Sequence, residues 1–395
     1  MRLSWTYLVA LGAVAVVTTG CGAAPTNSWL GLGLDDEHAY LAGGTHIYAV
    51  SLTDGKEAWR FPKAGATVRS GGETFLADPG VSTDMIVVGS WGPGTSHSGA
   101  VYGLDPATGD QKWCLVFDDK AATEPEMANC QKSPDATAFV LGVFLPPIDN
   151  RVVGGVTLQD GVAYFGMANN HVYAVDATDG TVKWIFDQPT HPVWAAPVID
   201  GDRVLVSSFD HSVYAIDRAT GNLVWQQDMG AALAGGPVVA DGTLFVGTFG
   251  NKLVALDSAS GAERWSYTTN YWVWDTPTLV DGVLYFSDLQ GTVYAVTAAD
   301  GSEVWRQAAS GFTRAAPAVT NGLVYVGDHN GNLVGLKTAD GSESWRQTVK
   351  GQLQATPRIA PAQGLVLILP YQGDASVTAF TLDGTRVAWA YQPTQ

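Results

Sequence analysis

One hairpin sequence returns throughout this chain. "VYAVDATDGTVKW" spans residues 172–184, and similar segments begin at positions 213, 253, 293 and 333. From 184 onward, the tryptophans that end these hairpins follow at steps of 41, 40, 40, 40 and 44 residues. A fixed period of this length restricts the chain to a repeat architecture, since each unit buries its faces against its neighbours. The hairpins end at Trp59, Trp113, Trp184, Trp225, Trp265, Trp305, Trp345 and Trp389.

Each repeat reads as four antiparallel strands. The stretch "GGPVVADGTLFVGTFGNKLVAL", residues 235–256, has a short strand, an Asp-Gly turn and two alternating segments separated by a Gly-Asn turn. The hairpin that ends in tryptophan follows. Four strands in about 40 residues make one propeller blade. We therefore predict an all-β fold, an eight-bladed β-propeller of four-stranded antiparallel blades, over residues 29–395, with an insertion at about 114–150.

Other positions of the hairpin also have structural roles. The tryptophan at the end of the outermost strand is predicted to pack flat on the neighbouring blade. A glycine four residues earlier allows the positive φ of a tight turn, as at Gly180, Gly221, Gly261, Gly301 and Gly341. The aspartates that end the third strand are predicted to cap this turn rather than bind metal, at Asp105, Asp176, Asp217 and Asp257.

The pattern A-x-D-x-x-x-G-x-x-x-W resembles the tryptophan-docking motif of the PQQ-like propellers, the quinoprotein alcohol dehydrogenase-like family. It reads "AVDATDGTVKW" at 174, "AIDRATGNLVW" at 215, "ALDSASGAERW" at 255 and "GLDPATGDQKW" at 103. Weaker copies start at 49, 295, 335 and 379, and the last places its glycine one residue early. Members of the family are mostly eight-bladed, which agrees with the eight copies here.

The resemblance implies two very different functions. The dehydrogenases of the family hold PQQ and calcium on the propeller axis, and many carry an adjacent cysteine pair that this chain lacks. The BamB-like lipoproteins of the family are non-catalytic docking scaffolds of similar size. The interpretation favoured here is a scaffold of the BamB-like or generic PQQ-like type, not an enzyme and without cofactor or metal. A glycan or small-ligand binder and a PQQ-dependent dehydrogenase with calcium remain the alternatives.

The N-terminus predicts export. Residues 1–20 have one basic residue, Arg2, followed by an apolar run of the length of a signal-peptide core. Cys21 follows "VTTG" in a pattern that resembles a lipobox, although Thr18 stands where leucine is usual. We expect cleavage before Cys21, lipid anchoring to the cell membrane or outer membrane, and a linker at 21–28. An ordinary cleaved signal is the alternative.

The net charge restricts the class of binding partner, and the cysteines predict a covalent link within the chain. The formal net charge is −17 and no basic run occurs, so nucleic acid is excluded as a partner. For an exported chain, the remaining cysteines Cys114 and Cys130 predict a disulfide, with two free buried thiols as the alternative. We expect a monomeric propeller that binds a protein partner in the cell envelope.

Candidate site residues lie where the repeat varies. Three residues before the proline of each inner strand, at a spacing of 40, stand Trp194, Ala234, Trp274, Arg314 and Gln354. This position is predicted at the mouth of the central channel, as are the turns between second and third strands. "DHNGN" at 328 faintly resembles a calcium loop, but we interpret it as a turn. The rings of Trp194 and Trp274 either plug the channel or, together with Arg314, bind a partner. The candidate binding residues are Trp194, Trp272, Trp274, Arg314, Gln354, Asp210, His211, Asp328 and His329.

Overall fold

The computed structural model describes residues 30–63, 72–92, 98–117, 150–308 and 311–393. This part of the chain contains 35 strands and no helix, and therefore no helix able to cross a membrane. The strands form eight antiparallel blade sheets in chain order, numbered 1 to 8 here, and one separate two-stranded sheet in the region of blade 8. The predicted all-β, eight-bladed fold is confirmed.

The strands of the first four blades follow one another along the chain. Blade 1 is β1 Gly31–Leu34, β2 His38–Gly43, β3 His46–Ser51 and β4 Glu57–Phe61. Blade 2 is β5 Thr74–Phe75, β6 Gly80–Val81, β7 Ile86–Trp91, β8 Gly99–Leu104 and β9 Gln111–Phe117. Blade 3 is β10 Thr157–Gln159, β11 Val162–Gly166, β12 Val172–Asp176 and β13 Val182–Phe186. Blade 4 is β14 Val198–Asp200, β15 Arg203–Ser207, β16 Ser212–Asp217 and β17 Leu223–Asp228.

The last four blades repeat this order, and blade 8 carries an extra strand pair. Blade 5 is β18 Val238–Ala240, β19 Thr243–Thr248, β20 Lys252–Asp257 and β21 Glu263–Thr268. Blade 6 is β22 Thr278–Val280, β23 Val283–Ser287, β24 Thr292–Thr297 and β25 Glu303–Ala308. Blade 7 is β26 Ala318–Thr320, β27 Leu323–Gly327, β28 Asn332–Lys337 and β29 Glu343–Thr348. Blade 8 has β30 Gln352–Leu353 paired with β33 Pro370–Tyr371, besides β31 Arg358–Ala360, β32 Leu365–Ile368, β34 Val377–Thr381 and β35 Val387–Tyr391.

A small residue lies opposite each hairpin tryptophan on the neighbouring strand of the same blade. Ala255 pairs with Trp265, and a shift of strand register follows directly after this pair. The equivalent partner is alanine in five further blades and glycine in the other two, Gly103 and Gly335. The first residue of the A-x-D motif is therefore small because the indole lies against it.

Each tryptophan then docks on the turn of the following blade. The indole nitrogen of Trp265 donates a hydrogen bond to the carbonyl of Ala298 at 3.2 Å. A Cβ on Gly301, whose φ is 72°, would lie 2.6 Å from the same ring. Trp389 repeats the contact across the ring closure, since its nitrogen donates to the Leu52 carbonyl of blade 1 at 3.0 Å. The same hydrogen bond to the next blade is made by Trp59, Trp113, Trp184, Trp225 and Trp305.

Trp345 is the exception, and the early glycine of blade 8 explains it. The indole nitrogen of Trp345 is buried and has no hydrogen-bond partner among the residues that the structure describes. The carbonyl that corresponds to the usual acceptor is that of Leu382, which instead accepts from the Tyr325 hydroxyl at 2.9 Å. Gly384 still lies under the Trp345 ring. Moving the glycine by one residue therefore keeps the ring contact and loses the hydrogen bond.

The core consists of one apolar cluster at each junction between consecutive blades. In the described residues there are eight such clusters, including one in which Leu41 and Val50 of blade 1 pack with Leu367 and Trp389 of blade 8. Within residues 30–393 as described, each blade takes its strands from one stretch of chain, and no strand is exchanged between the first and last blades. Side-chain packing therefore closes the ring.

Several sequence-based predictions fall outside the described residues. These are the signal segment 1–20, Cys21, the linker 21–28 and Cys130. Cys114 is buried in β9, and its disulfide with Cys130 stays a prediction. β9 continues to Phe117, and residues 118–149 of the predicted insertion at about 114–150 also lie outside the described residues, so the insertion stays a prediction.

Gly301 and Gly282 have the same backbone conformation, but only Gly301 lies against a docking tryptophan. Substituting each of them separates the effect of the docking contact from the effect of the positive φ. We expect Gly301→Ala to lower the free energy of unfolding by about 2 kcal/mol more than Gly282→Ala. Both have positive φ, 72° and 74°, so both substitutions carry a similar backbone cost of about 1–2 kcal/mol. Only at Gly301 does the new methyl group meet the Trp265 ring, because nothing lies within 4 Å of the Cβ position at Gly282. Urea unfolding of both variants tests this; equal losses would contradict the docking role.

Candidate functional site at the channel mouth

The segments that lead into the inner strands surround a cavity on the propeller axis. Its volume is about 380 Å³, and residues of all eight blades line it. Four of the predicted site residues contribute side chains to its wall: Trp194, Trp274, Arg314 and Gln354. The position that varies between the repeats therefore does line the mouth of the central channel.

Five aromatic rings form a continuous group at this mouth, called the aromatic cluster below. Trp194 contacts Phe209 edge to face, with ring centroids 4.5 Å apart, and Phe209 contacts Phe249 at 5.9 Å. Phe249 in turn stacks on both Trp272 and Trp274, with centroids 4.9 Å apart in each case. The cluster therefore joins blades 4, 5 and 6, and Trp272 and Trp274 contact the same ring from one segment.

A repeated backbone hydrogen bond fixes the cluster. In blades 4 to 7 the turn between the second and third strands donates an N–H to the carbonyl of the segment entering the same blade. Phe209 donates to Pro192 at 3.1 Å, and Phe249 donates to Ala232 at 3.0 Å. The same bond links the equivalent residues of blades 6 and 7, Leu289 to Trp272 and His329 to Phe312. Phe209 and Phe249 are thus held against the channel mouth by the repeat itself.

The rings differ in exposure. Trp194 and Trp274 are half-buried, whereas Trp272 and Phe312 expose 39% and 40% of their surface and Tyr271 exposes 38%. The inner rings fill the mouth of the channel, and the outer rings face solvent. Whether Trp194 and Trp274 only plug the channel or bind a partner with Arg314 stays a prediction.

Arg314 lies between the rings without an acidic partner. Its guanidinium carbon is 4.9 Å from the centroid of Trp274 and 5.6 Å from that of Phe312. Its Nε is buried and has no hydrogen-bond partner, and no carboxylate of the described residues forms an ion pair with it. Burial lowers the pKa of Arg314, yet a guanidinium stays charged at neutral pH. The mouth thus holds a cation framed by aromatic faces.

The two predicted aspartates, Asp210 and Asp328, accept hydrogen bonds from backbone N–H groups in and beside their turns. Asp210 accepts hydrogen bonds from the Thr190 and Ser212 N–H groups and from the Tyr214 hydroxyl, at 2.8, 3.0 and 2.7 Å. Asp328 is fully buried. Burial alone would raise the pKa of Asp328, but hydrogen bonds from Asn332 and from nearby backbone N–H groups outweigh it, and the pKa is lowered. Both carboxylates act as caps of their turns.

The two predicted histidines differ. His211 is exposed and adopts a positive φ of 75° in its turn. His329 packs on Phe312 with ring centroids 4.6 Å apart, and its Nε2 is buried with no hydrogen-bond partner. Burial, with a smaller effect of the neighbouring Arg314 charge, lowers the pKa of His329. Gln354 donates to Gln352 at 2.5 Å at the edge of the same cavity.

Sequence reasoning did not single out Asp275 as a residue of the channel interior. Its carboxylate accepts hydrogen bonds from the N–H groups of Thr276 and Ala316, at 2.7 and 2.8 Å, and from the Thr356 hydroxyl at 2.8 Å. These contacts tie blade 6 to blades 7 and 8. Burial raises the pKa of Asp275, and the negative charge of Asp78 adds to the effect. Among the described residues, no three His, Cys, Asp or Glu side chains are grouped as a metal site would need.

Comparison with known proteins gives the family. The family described as "Outer membrane protein assembly factor BamB" matches residues 42–209 and 209–389. The chain belongs to this family. The resemblance to BamB-like PQQ-type propellers is confirmed.

Two individual relatives each match part of the chain. The chain is 24% identical over 225 residues to the outer membrane protein assembly factor BamB of Xanthomonas campestris pv. campestris, covering 50% of this chain and 53% of that protein. It is 31% identical over 90 residues to the serine/threonine-protein kinase AfsK of Streptomyces griseus, covering 23% of this chain and 10% of the kinase. The matches thus span about half of the BamB relative and a tenth of the kinase.

Solved structures share the fold. The crystal structure of BamB from Moraxella catarrhalis superposes with a TM-score of 0.66 at 17% identity, covering 89% of this chain and 92% of that one. The computationally designed Ika8 protein superposes with a TM-score of 0.65 at 13% identity, covering 90% and 96%. At these identities the likeness concerns the propeller fold.

The buried carboxyl of Asp275 gives the stability a pH dependence. Its folded-state pKa lies above the ordinary value of 3.8, so the folded protein binds a proton that the unfolded chain releases. The stability that this group contributes is full below about pH 3.8 and is lost as the pH rises through the folded-state pKa. We expect the unfolding free energy of Asp275→Asn minus that of wild type to increase from pH 4 to pH 7. Denaturant unfolding at both pH values measures this; a difference that falls with pH would contradict a raised pKa.

Proposed function

We propose that this protein is an extracytoplasmic, non-catalytic propeller that docks a protein partner of the cell envelope on its channel-mouth face. Membership of the BamB family supports the role of a scaffold. The name of that family describes outer membrane protein assembly. For this chain the proposed role is binding of an envelope protein, with lipid anchoring at Cys21 after removal of residues 1–20.

The observation that carries the proposal is the exposed layer of rings beside the rigid aromatic cluster. Tyr271, Trp272 and Phe312 each expose more than a third of their surface. Trp272 stacks on Phe249, and Phe312 contacts His329, so these two rings are held in place before any partner arrives. Exposed aromatic residues and an arginine on a preorganised surface are the usual anchors of protein interfaces. Preorganisation also lowers the entropy cost of binding.

The carboxylates on the axis support a non-catalytic role without PQQ or calcium. Calcium takes 6–8 oxygen ligands, supplied largely by carboxylates and carbonyls. Asp78 accepts from the Leu32 N–H and pairs with Arg358, while Asp275 is engaged by three donors. Both carboxylates are therefore committed to holding blades together. These residues do not fit a calcium and quinone site.

The proposal predicts that two exposed rings carry partner capture. We expect Trp272→Ala/Phe312→Ala to weaken capture at least tenfold, about 1.4 kcal/mol, with a small loss of stability because both rings are exposed. The test is affinity purification of the lipidated protein from detergent-solubilised membranes of its own host, with the captured protein identified and quantified by mass spectrometry.

A matched control removes two apolar side chains from outer strands. Val304 and Val387 are 45% and 50% exposed and lie on β25 and β35, away from the cavity. Val304→Ala/Val387→Ala is expected to capture the same protein as wild type. Normal capture by the ring variant, or equal loss in both variants, would show that the channel mouth is not the docking face.

A further inference from the structure

Two neighbouring side chains at the channel mouth have polar atoms that nothing in the described residues satisfies. Arg314 Nε and His329 Nε2 are both buried without a hydrogen-bond partner. Both side chains contact the ring of Phe312, at 5.6 Å for the guanidinium and 4.6 Å for the imidazole. Buried polar atoms of folded proteins are almost always hydrogen-bonded, so two exceptions beside one ring indicate a place for a ligand.

Arg314 also differs from the other half-buried arginines. Arg203 pairs with Asp200 at 3.0 Å, and Arg358 pairs with Asp78. Arg314 lacks such a partner although the chain has 38 acidic and only 21 basic residues. A planar guanidinium binds a carboxylate through two parallel hydrogen bonds, and this bond strengthens where water is partly excluded. A carboxylate is therefore the group whose geometry and charge fit Arg314.

The surroundings of Arg314 restrict what the carboxylate is attached to. Asp78 and Asp275 line the same cavity, and Arg358 is already paired with Asp78, so Arg314 offers one positive charge, which matches a single carboxylate better than a doubly charged phosphate. The aromatic cluster offers ring faces directly beside the guanidinium, since Trp274 contacts both Arg314 and Phe249. An aromatic group next to the carboxylate would stack there.

The extent of the surface favours a polypeptide over a small molecule. The cavity holds about 380 Å³, but the exposed rings of Tyr271, Trp272 and Phe312 are not among the residues that line it. A ligand small enough for the cavity would leave these three rings in water. A peptide segment would cover them while one acidic side chain reaches Arg314.

We propose that the channel mouth binds a segment of the partner in which an acidic residue adjoins an aromatic one. The carboxylate takes two hydrogen bonds from Arg314, and the ring packs on the aromatic cluster. This inference rests on the proposed docking function, for which it names the recognised chemistry.

The test uses the mature full-length chain and two synthetic peptides, acetyl-Gly-Phe-Glu-Phe-Gly-amide and its Glu→Gln analogue, in calorimetric titrations. Wild type is expected to bind the glutamate peptide at least tenfold more tightly than the glutamine peptide. Arg314→Gln is expected to bind both equally, because the neutral side chain no longer distinguishes the two. Arg314→Lys keeps the charge but loses the planar fork, so a reduced preference is expected.

Two controls keep the result interpretable. Arg306→Gln removes the same charge from an exposed position on β25 and is expected to keep the full preference. A melting temperature for Arg314→Gln close to that of wild type excludes loss of folding, and Arg314→Lys serves if that variant is unstable. Equal binding of the two peptides by wild type, or a preference that survives in Arg314→Gln, would overturn the inference.

Two further comparisons distinguish a peptide from a small molecule as the ligand, and the docking function from this inference. N-acetylphenylalanine, a free aromatic acid, is expected to bind at least tenfold more weakly than the glutamate peptide; equal affinity would overturn the choice of a peptide segment. If partner capture needs Trp272 and Phe312 but is unchanged in Arg314→Gln, the docking function stands and this inference fails. If the peptide preference depends on Arg314 but no partner is captured, the recognition chemistry stands and the docking function fails.

Discussion

The contact between an indole and the turn of the next blade is the interaction on which this structure depends. Because the ring of Trp265 lies on Gly301 and its nitrogen bonds to the Ala298 carbonyl, one side chain fixes both the distance and the angle between blades 5 and 6. The contact also fixes the rest of the motif. It requires a small residue opposite the tryptophan and a glycine in the following turn, which together give the pattern that repeats through the sequence.

The ring closes without an exchanged strand, so the last junction is made in the same way as the others. Trp389 docks on blade 1 and Tyr391 donates to Glu57, beside an apolar cluster shared by blades 1 and 8. The regular junctions place eight equivalent segments around one axis. A side chain at one repeat position therefore always lies at the channel mouth, whatever its identity. Trp194, Trp274 and Arg314 vary at this position because the junctions do not depend on it.

The fold could be predicted from the sequence because period, turn chemistry and motif all specify the same blade. The candidate site was predicted only in part. Trp274 and Arg314 were found from one variable position, but Phe209 and Phe249 stand at another position with the same spacing of 40 residues. Phe312 stands two residues before Arg314, just as Trp272 stands two residues before Trp274. These signals were present in the sequence.

Other features of the site could not be predicted, because they depend on contacts between distant blades. Asp275 bonds to Ala316 and to the hydroxyl of Thr356, which is 81 residues away in sequence. Its raised pKa follows from this burial and not from its neighbours in the chain. The missing partner of Arg314 is likewise visible only once all surrounding side chains are placed.

Photo-crosslinking in intact cells tests most directly whether the channel mouth is the working face. A benzophenone amino acid is placed singly at Trp272 and at Phe312, and at the outer-strand positions Val304 and Val387 for comparison, all of which are exposed. If the channel mouth is the working face, one discrete adduct with the same protein forms from positions 272 and 312, and none forms from 304 or 387. Adducts formed from the outer strands and not from the channel mouth would contradict this assignment.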